Sequence, residues 1–303
     1  MSTLRIALDW TPNTNHTGFF VAQELGYYTA GGIELHILSP AADQYATTPA
    51  KKLELGEVDF AVAPFESVIS LNTKPARVQA VAIAALLQQD ISSIATLAAS
   101  NIARPKDLDG CTYASYRARY EDAIVRQLVI NDGGTGDFTV TYPDKLGIWN
   151  TLLTGAADAT WIFDNWEGVE AKTQGVALRT FSLADYGIPY GYSPVVMATA
   201  AGIAARRAEY TAFVQATKKG FQFAITNQRE ATDILRKHVP ERDARLIDLE
   251  KSQAAAAAFY GEASGWGTMA ASRVEAFLDW LIAHGLETEA VKNVPLFTNS
   301  LLQ

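Results

Sequence analysis

The first 27 residues show a strand pattern, a polar loop and a helix pattern in that order. Residues 4–8 alternate apolar and polar side chains, which is typical of a short strand. Pro12 ends this pattern, and the apolar residues of 17–27 then recur at helical spacing. We expect Asn15 or Thr17 to cap the helix, because a side-chain oxygen at a helix start accepts a backbone N–H. The succession predicts a βα unit and therefore an α/β fold. Residues 33–38 alternate again and predict a second strand.

The loop between this strand and this helix is dense in side chains that bind ligands. It holds a carboxylate, an indole, two amides and an imidazole, supplied by Asp9, Trp10, Asn13, Asn15 and His16. Ligands of open α/β sheets bind beyond the carboxyl ends of the strands, so the loop predicts a binding site. A solvated turn around a buried Trp is the structural alternative. A hydrolase that uses Asp9 and His16 as an acid/base pair is an enzymatic alternative.

Composition limits the classes of function. The chain has 303 residues, of which 49% are apolar and 19% charged, enough for two cores. A formal net charge of -8 argues against nucleic acid and anionic membranes as main partners. Cys111 is the only cysteine, so an internal disulfide is excluded, and we expect this residue to be small, apolar and buried. The four histidines show no metal-ligand spacing.

Targeting and membrane signals are also missing from the sequence. No apolar run reaches the roughly 18 residues that cross a membrane. No charged segment followed by an apolar stretch precedes the first strand, as a signal peptide would require. We therefore expect a cytoplasmic protein, and a periplasmic one if a signal segment has been removed.

A helix, a glycine and a strand follow one another twice, about a hundred residues apart. The first copy has a predicted helix at 50–56 and a strand at 58–62, and the second spans 153–162. The repeat predicts two similar α/β halves, with coincidence as the alternative, because this succession is common. The two strand exits carry aromatic and acidic residues and are expected to face one cleft: Phe65, Glu66 and Ser67 in the first half, and Phe163, Asp164, Asn165, Trp166 and Glu167 in the second.

Another candidate lies between the two copies, where a turn-rich segment at 105–110 leads into 111–114, and 115–121 then looks like a loop and a helix start. Tyr113, Ser115 and Tyr116 place hydroxyl groups beside exposed helix amides, and two arginines follow. Such a loop would bind an anionic or carbonyl group. The alternative is an exposed helix with a stabilising Arg/Glu face. After about residue 205 two apolar stripes predict core helices. The first is Tyr210, Phe213, Val214, Thr217, Phe221 and Ile225, and the second is Val274, Phe277, Leu278, Leu281 and Ile282.

The opening segment 9–16, followed by 21–28, resembles the thiamin-pyrimidine group of type II periplasmic-type binding proteins. That group includes bacterial formylaminopyrimidine-binding proteins of ABC importers and fungal hydroxymethylpyrimidine phosphate synthases. Segments near 55–67, 165–168 and 297–299 also fit, so the resemblance covers nearly the whole chain. It implies two α/β lobes with a ligand cleft between them. The lobes would be 1–88 with 190–303, and 89–189, joined by hinge crossovers near 86–90 and 187–195.

The resemblance also implies a ligand, because relatives stack a flat pyrimidine between aromatic rings and read its edge with carboxylates and amides. With the loop residues above, the predicted ligand-binding residues are Asp9, Trp10, Asn13, Asn15, His16, Phe65, Glu66, Ser67, Tyr113, Ser115, Tyr116, Trp161, Trp166, Glu167, Tyr190 and Tyr192. We expect a monomer that closes on a small aminopyrimidine or thiamin-precursor-like heteroaromatic, without a cofactor or a metal, for ABC-type uptake through a permease.

The enzyme branch of the group is the main alternative. Its synthases carry a lysine that binds pyridoxal phosphate and a histidine that is consumed as substrate, where this chain has Ala63 and Ser67. Their late cysteine-rich motif has no counterpart in 188–194, and their glycine-rich phosphate loop would fall near 115–121, where no glycine occurs. These differences favour a binding protein over a pyridoxal-phosphate-dependent synthase. A cytosolic sensor or carrier is a further alternative.

Overall fold

The structure is a computed structural model that describes residues 1–76 and 78–303. Within these residues the strands are β1 Ser2–Ala7, β2 Ile33–Leu38, β3 Phe60–Ala63, β4 Ala80–Ala85, β5 Ser92–Leu97, β6 Thr112–Ala114, β7 Thr139–Thr141, β8 Ala159–Phe163, β9 Leu178–Phe181 and β10 Val195–Thr199.

The helices are α1 Thr17–Glu24, α2 Tyr27–Ala30, α3 Pro49–Glu54, α4 Phe65–Thr73, α5 Glu121–Asn131, α6 Asn150–Thr154, α7 Glu167–Thr173, α8 Ala200–Ala205, α9 Arg207–Thr226, α10 Gln228–Arg236, α11 Glu241–Leu246, α12 Leu249–Ala257 and α13 Ala271–Ala283. None of the helices in the described ranges is both long and apolar enough to cross a membrane.

The chain forms two units. Unit 1 comprises Met1–Asp90, Gly191–Arg245 and Leu249–Gln303, and unit 2 comprises Ile91–Tyr190 and Leu246–Asp248. The short contribution of Leu246–Asp248 to unit 2 has no local sequence signal that would have revealed it. Hinge motion at the crossovers near 86–90 and 187–195 stays a prediction.

Each unit contains a five-stranded sheet, and the two sheets have the same plan. Unit 1 has the order β2-β1-β3-β10-β4, and unit 2 has the order β7-β6-β8-β5-β9. The first three strands of each order run parallel, and the fourth, β10 or β5, is antiparallel to both of its neighbours. This shared plan confirms the two similar α/β halves predicted from the repeat.

The repeated sequence phrase occupies equivalent places in the two units. In unit 1, α3 is followed by Gly56 with φ +73° and then by the middle strand β3. In unit 2, α6 is followed by Gly155 with φ +69° and then by the middle strand β8. Both glycines adopt the left-handed conformation that ends a helix and that other residues rarely adopt. The predicted strand at 58–62 begins two residues later, at Phe60.

Two local predictions were wrong. The cap at the first helix is neither Asn15 nor Thr17, because a 3-10 turn at Thr14–His16 precedes α1 and Asn13 caps that turn. Cys111 is half-buried rather than buried, and its Sγ donates to the carbonyl oxygen of Asp107 at 3.4 Å. Burial and three nearby carboxylates raise the pKa of the Cys111 thiol. The predicted core stripe on α9 is confirmed for Tyr210, Phe213, Val214, Thr217 and Phe221, which are all buried, whereas its last member, Ile225, is half-buried.

Candidate functional site

In unit 1 three loops leave the same edge of the sheet. Strand β1 runs parallel to β2 and to β3, so the chain exits all three strands on one side. The loop 8–13 follows β1, the segment 39–48 follows β2, and Pro64 follows β3. Carboxyl ends of parallel strands are where α/β sheets bind ligands. This edge is therefore the candidate site of unit 1.

Asn13 shapes the loop after β1. Its Oδ1 accepts the backbone N–H of Asn15 at 2.8 Å, and its Nδ2 donates to the carbonyl oxygen of Thr11 at 3.0 Å. Both asparagines are 3% exposed. The amide of Asn13 therefore maintains the turn, because it satisfies backbone groups that a helix start leaves open.

His16 and Asp9 form a hydrogen-bonded pair at this edge. The His16 ring is fully buried, and its Nδ1 accepts the backbone N–H of Asn13 at 3.3 Å. That bond leaves the ring proton on Nε2, which lies 2.7 Å from Oδ1 of Asp9 and donates to it. The side chain of Asp9 is 15% exposed. The imidazole thus fixes the orientation of a carboxylate that still reaches the surface.

Two aromatic rings at this edge contact each other, and one of them, Tyr45, is close enough to Asp9 to feel its charge. Trp10 and Tyr45 have ring centroids 6.3 Å apart with planes tilted by 57°. Burial raises the pKa of the Tyr45 phenol, and the charge of Asp9 raises it further, so that the hydroxyl stays protonated. Tyr45 was not predicted as a site residue, although it follows the correctly predicted strand β2. The rule that loops after parallel strands share an edge would have identified it.

Helix α12 and the segment after it, which carries Tyr260, support the loop. The Thr14 carbonyl oxygen accepts the hydroxyl of Tyr260, and the hydroxyls of Thr14 and Ser252 lie 2.8 Å apart. Thr17 donates to Oε1 of Gln253 at 2.6 Å. All of these groups are buried. Because buried hydrogen bonds hold the turn on this side, the loop is preorganised.

The helix that follows β3 begins at the same edge. Phe65 and Glu66 are buried at 1% and 4% exposure, and Ser67 is half-buried. The backbone N–H of Phe65 donates to the carbonyl oxygen of Tyr192 at 2.9 Å. The hydroxyl of Tyr192 accepts the N–H of Ala270 at 2.9 Å, and its ring is covered by a guanidinium from α13. The predicted group Phe65 to Ser67 is thus connected, through the backbone of Phe65, to Tyr192, which is also a predicted site residue.

In unit 2, strand β6 is parallel to β7 and to β8, so the loops at 115–120 and 164–166 leave one edge. Glu121 is 3% exposed. Its Oε1 accepts the hydroxyl of Tyr113 at 2.8 Å and the N–H of Tyr116 at 3.0 Å, and its Oε2 accepts the N–H of Ala118 at 3.1 Å. Burial raises the pKa of the Glu121 carboxyl, and these three hydrogen bonds oppose the shift. The sequence predicted either an anion-binding loop or an exposed Arg/Glu helix at 115–121. Neither prediction included a buried carboxylate that accepts hydrogen bonds from its own loop.

Aromatic residues dominate the rest of this edge. Trp161 is 9% exposed, and its ring centroid lies 5.3 Å from that of Tyr190. Trp166 is 3% exposed at the start of α7. Oε2 of Glu167 accepts the N–H of Phe163 at 3.0 Å, so this buried carboxylate supports the turn between β8 and α7. Tyr113 and Ser115 are also buried, at 1% exposure each.

Asp164 was not selected as a site residue from the sequence, although it precedes Trp166. Its Oδ2 accepts the Ser93 hydroxyl at 2.7 Å. Burial raises the pKa of its carboxyl, while the bond from Ser93 and the charge of Lys172 oppose the shift. The strand partner Ser93 lies about seventy residues away in sequence, and no local pattern connects the two.

The site residues do not fit a metal or pyridoxal phosphate. Among residues 1–76 and 78–303, no three His, Cys, Asp or Glu side chains group closely enough to hold a metal ion. At the end of β3, Ala63 is a buried alanine and Ser67 a half-buried hydroxyl, and neither offers the amine of a Schiff base. The amides of Tyr116 and Ala118, which would bind a phosphate, are taken by Glu121.

Comparison with solved structures defines the class. The fold is that of the type II periplasmic binding proteins, each with two α/β units. The periplasmic nitrate-binding protein NrtA of Synechocystis PCC 6803 matches it with a TM-score of 0.75 and 14% identity, over 100% of this chain and 87% of that one. Residues 13–231 match the family described as NMT1/THI5 like, and the chain belongs to that family.

Two curated relatives narrow the comparison. The chain is 26% identical over 298 residues to a formylaminopyrimidine-binding protein of Halalkalibacterium halodurans, which covers 94% of this chain and 86% of the relative. It is 25% identical over 244 residues to a 4-amino-5-hydroxymethyl-2-methylpyrimidine phosphate synthase of Legionella pneumophila, covering 79% and 75%. The resemblance inferred from the opening segment is thereby confirmed.

Proposed function

We propose that the protein binds a small amino-substituted heteroaromatic, of the kind represented by the pyrimidine half of thiamin, and releases it unchanged. The observation that carries the proposal is the carboxylate of Asp9, which His16 holds near Tyr45, a ring that in turn contacts Trp10. An exocyclic amino group donates hydrogen bonds, and a fixed carboxylate accepts them. A flat ring fits beside an indole and a phenol.

Magnitudes are consistent with specific recognition. A hydrogen bond to a charged group contributes about 1.5–3 kcal/mol net. Aromatic stacking adds about 0.5–1.5 kcal/mol beyond the area that it buries. A ligand without the amino group would supply no hydrogen bond to the partly buried Asp9 carboxylate beyond the one from His16. This loss is the strongest basis for rejecting an analogue.

The loop residues have different roles in this proposal. Asp9, Trp10 and Tyr45 contact the ligand. His16 positions Asp9, because both of its ring nitrogens already have partners within the chain. Asn13 and Asn15 hold the turn. Of the other predicted residues, Phe65 and Glu66 in unit 1 and Trp161, Trp166 and Tyr190 in unit 2 are kept as proposed ligand contacts.

The Halalkalibacterium relative supports the ligand class, because its name states that it binds formylaminopyrimidine. We extend the proposal to uptake, in which the protein would deliver its ligand to an ABC permease. The Legionella relative is named as a synthase, which keeps an enzyme as the second candidate. Ala63 and Ser67 weigh against that candidate, since the reaction implied by the resemblance needs a lysine and a histidine.

A thermal-shift screen of the purified chain tests the proposal. The compounds are thiamin, its aminopyrimidine precursors, pyridoxal phosphate and a flavin. A ligand at a hundred times its Kd should add about 2.7 kcal/mol of stability. We expect an aminopyrimidine to stabilise the wild-type protein and to lose this effect in Trp10→Ala. Stabilisation by pyridoxal phosphate together with the absorbance of a Schiff base would contradict the proposal and support the enzyme.

A further inference from the structure

The loop after β6 is organised around a carboxylate of its own chain. Glu121 lies in the first turn of α5, and its two oxygens accept one hydroxyl and two backbone N–H groups at 2.8–3.1 Å. The amide between these two, that of Arg117, donates to Oγ of Ser115 at 3.0 Å. Three successive loop amides, at 116, 117 and 118, therefore have acceptors inside the loop.

Such an arrangement of donors has a known chemical preference. Backbone N–H groups that converge at the start of a helix bind anions, and phosphate is the usual one. Arg117 has a φ of +61°, the left-handed conformation that makes successive amides of a loop converge. The donors of an anion site are thus present, and a glutamate from the same segment occupies them.

The cations of this loop are directed to aromatic rings. The guanidinium carbon of Arg117 lies 4.3 Å from the ring centroid of Tyr142, and that of Arg119 lies 5.0 Å from the centroid of Tyr120. Contacts of this kind attract a guanidinium to the face of a ring. Neither arginine is oriented toward Glu121 by an ion pair in the described residues. The carboxylate therefore depends on the hydroxyl and the backbone amides.

The loop leaves the sheet at the edge where β8 also ends, beside the turn that carries Trp166. We infer that Glu121 takes the place of a ligand phosphate in this loop and makes the protein select unphosphorylated ligands. A phosphate group approaching the edge meets a negative charge and no available amide at 116 or 118. The identity of the ligand rests on the proposed function, whereas the exclusion of phosphate is a property of the loop.

The test uses inorganic phosphate as the probe and compares wild type with Glu121→Ala. Binding is measured by titration calorimetry and by the amide resonances of Tyr116 and Ala118, with sodium chloride at matched ionic strength as the blank. We expect phosphate to bind the variant at least about tenfold more tightly than the wild type, because two charge-assisted N–H bonds become available. Phosphate should also recover part of the Tm that the substitution costs.

Glu170→Ala is the matched control. Glu170 is 3% exposed in the same unit, but its carboxylate accepts from the side chains of Trp149 and Gln174, both at 3.0 Å. This variant also loses a buried carboxylate and releases no loop amide through these two bonds. It should therefore not gain phosphate affinity. Equal phosphate binding by both variants would overturn the inference.

Two further outcomes would also overturn it. One is a folded Glu121→Ala variant that binds phosphate no better than the wild type. The other is a shift of the amide resonances of Tyr116 and Ala118 in the wild-type protein at millimolar phosphate. This measurement needs no substitution, so it tests the inference even if the variant fails to fold. If the wild-type protein binds none of the aminopyrimidines, the proposed function is contradicted, but the result on phosphate exclusion remains valid.

Discussion

The two units hold the loops at their site edges in opposite ways. In unit 1 the loop after β1 is held from outside, by Tyr260 and Ser252, which are 246 and 238 positions from Thr14. In unit 2 the loop after β6 is held from inside, by Glu121, which is eight positions or fewer from its partners. The loop of unit 1 has distant partners in addition to the bonds of Asn13, whereas the bonds described for the loop of unit 2 converge on one carboxylate that is near in sequence.

This difference determines whether the acidic residues of a loop hold the loop or contact a ligand. In unit 1 other residues support the turn, so the carboxylate of Asp9 is not needed for that purpose. It accepts a hydrogen bond from the imidazole of His16 and still reaches the surface. In unit 2 the carboxylates of Glu121 and Glu167 are buried and accept backbone N–H groups. An acidic residue in a βα loop is therefore a candidate ligand group only after its hydrogen bonds within the chain have been assigned.

The largest expected effect comes from separating α1, the helix that follows the unit 1 loop, from α9. A Cβ on Gly220 of α9 would lie 1.9 Å from the carbonyl oxygen of Gly18 and 3.0 Å from the Cβ of Ala22, both on α1. Gly220→Ala must separate the two helices, and we expect the free energy of unfolding to fall by about 3 kcal/mol. Chemical denaturation with fluorescence detection measures it. Ligand affinity should fall too, because α1 follows the loop directly.

Gly265→Ala is the control for that substitution. Gly265 also lies in unit 1, has no atom within 4 Å of an added Cβ, and does not have a left-handed backbone. Its replacement should change the free energy of unfolding by no more than about 0.5 kcal/mol. Similar losses in both variants would show that the close contact between α1 and α9 is not what makes the Gly220 substitution destabilising.

The features predicted correctly from the sequence are those encoded locally. Alternation of apolar residues identified β2 at Ile33–Leu38, and the repeated phrase with Gly56 and Gly155 identified two similar halves. Both signals depend on neighbours within a few residues, where side-chain period and backbone conformation are coupled. The same applies to the predicted core stripe of α9, whose members recur every three or four residues.

The features that were missed depend on partners far away in sequence or on choices between similar residues. Asn13, Asn15 and Thr17 are all good caps, and propensity alone does not rank them. Tyr45 reaches Trp10 only because β1 and β2 pair. The hydrogen bonds of Glu121 were accessible in principle, since its partners are close in sequence, but no periodic pattern marks a carboxylate that turns back onto its own loop.

A smaller effect, on binding alone, should follow from removing the charge of Asp9. Asp9→Asn keeps the shape of the side chain and weakens the hydrogen bond to the ligand's amino group, at a cost of about 2 kcal/mol or roughly 30-fold in Kd. Titration calorimetry with the aminopyrimidine found in the screen measures it. The Tm of the unliganded protein should change little, because the loop is supported by other residues. A large drop in that Tm with unchanged Kd would place Asp9 with the structural carboxylates.

Glu167→Ala should give the opposite result, with the smallest magnitude of the three. The substitution removes the acceptor of the Phe163 N–H, and leaving a buried N–H unsatisfied costs about 1 kcal/mol or more. We therefore expect a lower free energy of unfolding and a Kd for the aminopyrimidine within about threefold of the wild type, which is below the effect of one hydrogen bond to a charge. The sequence analysis, by contrast, predicts Glu167 as a ligand-binding residue. If its replacement weakens binding as strongly as Asp9→Asn while stability is unchanged, then the carboxylates of the two units have the same role, and the contrast between outside and inside support does not explain which of them binds.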